Sequence, residues 1–135
     1  MNYYIAAMLV VLLCLGACTS EPKIPQDPNK YVFSDLNEVD AINHWRLHGW
    51  SEVDENSLIV RTGPKTSYLL ILTRPNYDLN MAQGIIVSST AGSVRARFDS
   101  VSTLRKKGLR YPIARIYQLE GKKQRNDIKA RILAE

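Results

Sequence analysis

Thiols are nearly absent from this chain. Its only two cysteines, Cys14 and Cys18, stand four apart near the start of 135 residues. No cysteine follows Cys18, which excludes an internal disulfide and a cysteine-ligated metal site from the rest of the chain. Histidine is scarce as well, at two residues. His44 and His48 are spaced i, i+4, which on a helix aims both at one metal, but no third ligand follows at a telling spacing. On a strand the same spacing sets them roughly 13 Å apart, too far for one ion. No GxSxG nucleophile elbow exists. Ser88, Ser89 and Thr90 precede a glycine turn and read as turn chemistry rather than as a nucleophile served by a histidine base and Asp99. Residues 5 to 17 carry no charge, and the MNYY before them has no Lys or Arg. Internal repeats are absent.

The uncharged run IAAMLVVLLCLGA is thirteen residues long. A membrane-spanning helix needs about 20 apolar residues, so the run matches the apolar core of an export signal. Leu15-Gly16-Ala17-Cys18 then resembles the lipobox of bacterial lipoproteins, where the thiol receives a diacylglyceryl group and the signal is cut before it. Gly16 and Ala17 offer a peptidase pocket no bulk. The expectation is a signal peptide over 1–17 and lipidation at Cys18, leaving 118 of the 135 residues without a free thiol. An uncleaved anchor is the alternative, favoured by the missing basic residues of MNYY. Thr19 follows the cysteine. In the Gram-negative sorting rule this resembles, Asp there retains a lipoprotein at the inner membrane, so Thr points to the outer membrane and its periplasmic face.

Residues 18–30 read as a tether. TSEPKIPQDPNK has prolines at 22, 25 and 28, a composition that favours an extended spacer reaching up to about 37 Å. The globular part is expected over 31–121, and its signals are mostly β. INHWRLHGWSEV (42–53) supplies a turn or strand. SLIVRT (57–62) and SYLLILT (67–73) form a hairpin around GPK. Arg74-Pro75 ends the second strand. DLNMAQ (78–83) reads as one helical turn with Asp78 as its cap. GIIVSS (84–89) resumes as strand. SVRARFDSV (93–101) alternates, with Val94, Ala96 and Phe98 on one face and Arg95, Arg97 and Asp99 on the other. LRKKGLR is a polar loop, and YPIARIYQL (111–119) is the last strand. Five to six short strands at this spacing predict a mainly β domain, a small antiparallel barrel or sandwich. Residues 122–135 predict a basic C-terminal helix with Ile128, Ile132 and Leu133 on a narrow apolar stripe. Phe98, Tyr68, Trp50 and Tyr117 are the expected core aromatics.

Charge is divided along the chain. Residues 31–94 hold four Lys/Arg and seven Asp/Glu, a net −3, whereas residues 95–135 hold twelve and four, a net +8. Arg95, Arg97, Lys106, Lys107, Lys122 and Lys123 are therefore candidate anion-binding residues, for lipid headgroups, lipopolysaccharide phosphates or peptidoglycan carboxylates. A solvated basic face is the plainer reading of the same pattern. Arg97 and Asp99 on one strand face read as a surface ion pair, with Asp99 alternatively capping the turn that follows.

Several motifs occur in fixed order: GWSEVDENSLIVRT, then YLLIL followed by RPxxDL, then AxxIxVSSTxGxVxARFDSV, then YPxxRI. From Ile42 to Leu119 the chain resembles a family of small Gram-negative lipoproteins of unknown function, with RFDSV as the most specific piece. The resemblance implies no substrate. It does imply a departure: relatives carry cysteines where this chain has Asn76 and Ile113, a bridge worth about 2–4 kcal/mol that is absent here. The functional expectation is a lipid-anchored, non-enzymatic envelope lipoprotein. It needs no cofactor and meets no nucleic acid. It binds an unidentified envelope protein or polymer, or else docks on anionic lipid or glycan through its basic C-terminal third. A hydrolase or metal-binding role is the remaining alternative.

Overall fold

The computed structural model describes residue 27 and residues 29–134. The Leu15–Ala17 motif, Cys18 and nearly all of the proline-rich spacer lie outside the described residues. The described chain runs β1 (Asn37–Val39), β2 (Ala41–Ile42), β3 (Gly49–Asp54), β4 (Ser57–Arg61), β5 (Thr66–Leu72), β6 (Ile85–Val87), β7 (Val94–Arg95), β8 (Ser100–Thr103), β9 (Tyr111–Glu120) and α1 (Gly121–Leu133). The main sheet has the order β3-β4-β5-β9-β8-β6 and curls into a half-barrel, while β2 and β7 form a separate pair. Every pairing is antiparallel. The mainly β class with a C-terminal helix, legible in the alternating and apolar runs, is the class adopted.

β4 and β5 lack the hydrophobic-polar alternation of a half-exposed strand because both faces of the sheet are covered. Leu58, Val60, Leu70 and Leu72 face one core with Ile42, Leu79, Ile85, Val94 and Val101. Ile59, Leu69 and Ile71 face a second core with Phe33, Leu36, Ile128 and Ile132. One layer above the sheet is thus made of the short strands and loops, and the layer below of α1 and the 31–36 segment. Ile128 and Ile132 are the buried residues of α1, and Leu133 points to solvent, so the apolar stripe is one residue narrower than expected. Arg131 locks the helix down. It donates to Asp35 at 2.7 Å, which holds that carboxyl below its usual range, and it stands over the Phe33 ring.

β9 is the longest strand and serves both cores. Its Ile113–Glu120 stretch pairs with the whole of β5, and its other edge is shared. β8 takes Tyr111 and Pro112, while β1 takes Ile116 to Gln118. Ile71 lies opposite Arg115 but Leu72 lies opposite Ile113, so one extra residue, Ala114, sits in β9. This bulge resets the side-chain period. Ile113 and Ile116, three apart, both face the first core, while Tyr117 and Leu119 face the second. Tyr117 is buried there, edge-on to Phe33, and donates its hydroxyl to the Tyr31 carbonyl.

A buried carboxylate organises the first hairpin. Asp54 accepts from the Ser57 hydroxyl and the Asn56 amide through one oxygen. Its other oxygen accepts from the Tyr31 hydroxyl at 2.6 Å and pairs with Lys30 at 3.2 Å. The end of the tether is thereby fastened to the β3–β4 turn. That turn docks on β5, since the Asn56 carbonyl accepts from Leu72 and the Glu55 carbonyl from Asn76. Asn76 and Ile113, the two places where relatives are expected to carry cysteine, are both buried.

Two local expectations are corrected. DLNMAQ forms only the 3-10 turn Leu79–Met81, and Asp78 makes no side-chain cap. Its carboxylate pairs instead with Lys106 on the facing loop, and the Asn76 side-chain oxygen accepts the Asp78 amide. The 93–101 run is not one strand, for reasons given below. The 43–48 segment is irregular, with His44 in the left-handed region, and β3 follows it, the turn-then-strand order expected over 42–53.

Asp54→Ala takes away the acceptor that these donors share at a buried site, so it should cost about 2–4 kcal/mol in urea unfolding. Asp54→Asn, which keeps an acceptor oxygen, should cost less. Equal stability of the alanine variant and the wild type would contradict this role.

Candidate functional site at the β7–β8 turn

SVRARFDSV alternates at period two, yet it splits into β7, a tight turn and β8. Asp99 causes the split. Its carboxylate is 2% exposed. One oxygen accepts from the Arg95 amide four residues back at 2.7 Å, and the other from the Ser88 hydroxyl at 2.7 Å. The Asp99 amide closes the same loop onto the Arg95 carbonyl at 2.9 Å. An acidic side chain that can satisfy a nearby backbone amide competes with the ladder in this way. β2 is only two residues long and gives β7 no further partner. Asp99 is therefore an internal anchor, neither a surface partner of Arg97 nor a cap on the turn that follows.

The turn is bolted to β9. The Arg97 amide donates to the Ile113 carbonyl at 2.6 Å, and the Ile113 amide donates to the Asp99 carbonyl at 2.9 Å. Arg97 has φ +63°, a left-handed conformation. That costs a non-glycine residue about 1–2 kcal/mol. Hydrogen bonds to a buried charged acceptor return about 1.5–3 kcal/mol each, enough to hold the strained turn. The left-handed residue also reverses the next side chain. Phe98 leaves the face shared by Val94 and Ala96 and stands 71% exposed. The expectation that it belongs to the core is overturned. Trp50 and Tyr68 do pack against the first core, and Tyr117 lies within the second.

Phe98 stands beside a shallow groove of about 420 Å³, lined with Asp40, Ala41, Asn43, Thr90, Arg95 and Ala96. Arg97 reaches Asp40 at 3.7 Å. The groove's other walls are equally constrained. His44 and Ala91 are the remaining non-glycine residues with positive φ among those described, and both flank the β2–β7 pair. Ser93 bonds Asn43, and the Trp45 amide bonds the Gly92 carbonyl. Clustering of left-handed residues around one concavity is the pattern of a site whose shape is fixed before a ligand arrives. Chemically the groove offers an apolar ring face, guanidinium donors, an amide, a hydroxyl and one carboxylate. These suit recognition by stacking and hydrogen bonding.

The six candidate anion-binding residues do not converge. Arg95 and Arg97 share the turn. Lys106 and Lys107 lie on the exposed loop before β9, with Lys106 held by Asp78 at 2.9 Å. Lys122 and Lys123 are exposed on the first turn of α1. His44 and His48 are exposed, and among the described residues no group of three His, Cys, Asp or Glu is placed to hold a metal. Ser88 is engaged with Asp99 and with the Ser100 amide rather than with a histidine. Sequence reasoning missed Phe98 because a single left-handed residue is invisible to period-two counting. The available signal was Asp99, whose side chain can bond the amide four residues before it. Among the described residues no helix is long and apolar enough to cross a membrane.

The chain belongs to a family of unknown function, DUF6491, whose model matches residues 1–135. Comparison with curated proteins and with solved structures finds no match.

Asp99→Ala should destabilise the domain by about 2–4 kcal/mol, because it leaves the Arg95 amide and Ser88 hydroxyl without their shared acceptor. Arg97→Gly, which removes the left-handed penalty, should be neutral or stabilising by up to about 1 kcal/mol. Denaturant midpoints check both; a destabilised glycine variant would contradict the strained conformation.

Proposed function

We propose that this protein is a lipid-anchored cell-envelope lipoprotein, a non-catalytic binding module tethered through Cys18 to the periplasmic face of the outer membrane. It offers the Arg95–Phe98 turn to an envelope protein or polymer. The observation that carries the binding role is a large aromatic ring, Phe98, held in solvent by a turn whose strain is offset by a buried carboxylate. A ring that served only stability would be turned inward, since burying it is worth about 1.5–3 kcal/mol. What supports the anchor is the Leu15-Gly16-Ala17-Cys18 motif after a short uncharged run, followed by a proline-rich spacer that ends where Lys30 and Tyr31 meet Asp54.

In-cell crosslinking of the native protein tests both parts. Phe98→Ala should leave the melting temperature and membrane fractionation unchanged while its crosslinked partner disappears. Cys18→Ala should move the protein out of the lipid-bearing, detergent-partitioning pool. A Phe98→Ala variant with wild-type crosslinks contradicts the binding role. A Cys18→Ala variant that partitions like wild type contradicts the anchor.

A further inference from the structure

A second concavity lies on the opposite side of the sheet, where α1 crosses β3 and β4. Ser51 and Arg61 from the strands face Arg125, Asn126 and Lys129 from the helix, and Trp50 also lines the concavity of about 170 Å³ between them. Ile59 forms its floor. Three cations converge there, and no carboxylate lines the cavity. Among the described residues none of the three makes an ion pair, although Arg131 and Lys106 elsewhere each find one. Arg125 and Lys129 are spaced i, i+4 on one helix face, where like charges destabilise a helix by about 0.2–0.5 kcal/mol. Arg61 adds a third positive charge from the facing strand. Left empty, the arrangement is self-repelling. An oxyanion among the three cations would attract each of them and offset their mutual repulsion, and guanidinium groups suit phosphate oxygens because they donate in a planar fork. Ser51 and Asn126 add neutral hydrogen-bonding groups beside the charge.

We infer that this cleft between α1 and the β3–β4 hairpin binds a phosphoryl group through Arg61, Arg125 and Lys129. The site is separate from the Phe98 groove and does not rest on its reading. The group is carried either by a soluble phosphate or by a phospholipid headgroup.

The test is a titration of the full chain in detergent with inorganic phosphate, followed by backbone amide NMR, with chloride at matched ionic strength as control. Phosphate should shift the amides of Ser51, Arg61, Arg125 and Lys129 saturably, and chloride should not. Arg125→Gln with Lys129→Gln should abolish the shifts. Glutamine is a good helix former, so the double variant keeps its fold. In phosphate-free buffer it should melt at or above the wild-type temperature, because the repulsion is gone. It should also lose the phosphate-dependent rise in melting temperature that binding to the folded state produces. Vesicles containing phosphatidylglycerol then distinguish the sources. If they displace phosphate where phosphatidylcholine vesicles do not, the natural carrier is an anionic headgroup; if neither does, it is a soluble phosphate compound. Equal shifts with chloride, or shifts that persist in the double variant, overturn the site.

Discussion

The structure depends on β9. This strand pairs from Ile113 to Glu120 with the whole of β5, shares its other edge between β1 and β8, and leads directly into α1. A strand covered on both faces must serve two cores with one side-chain period. The extra residue at Ala114 solves that conflict by changing which face each half of the strand presents. Just before the bulge, Ile113 uses its amide and carbonyl on the Arg97–Asp99 turn rather than on a strand. The feature that lets the sheet be buried twice and the feature that fixes the exposed turn are therefore neighbours in sequence.

That arrangement explains which parts of the fold are legible without coordinates. The runs SLIVR and YLLIL announce strands, and the proline after Arg74 announces their end. The helix is legible from Ile128 and Ile132 at helical spacing. β1 and β2 are three and two residues long, too short to leave a period. They are ordered by tertiary pairing with β9 and β7 rather than by local propensity. The bulge at Ala114 leaves no composition signal either, because both halves of β9 are apolar and only the partner strand defines the slip. At the candidate site, the charge of Arg95 and Arg97 is legible, but the outward turn of Phe98 is not. It follows from one backbone angle and a buried acid whose partners lie in β7 and just after β6.

The two concavities differ in chemistry and in how they are built. The Phe98 groove sits among turns whose backbone is strained and locked, and it combines an aromatic face with mixed polar groups. The cleft beneath α1 sits on regular elements and is cationic alone.

The central claim is that the Arg95–Phe98 turn is rigid before anything binds it. Backbone ¹⁵N relaxation on the folded protein tests this most directly. A turn held by Asp99 and Ile113 predicts order parameters near about 0.85 for residues 96–99, equal to those of β9, with the Arg97 amide protected from exchange. Values below about 0.6 there, as for a flexible loop, would contradict it.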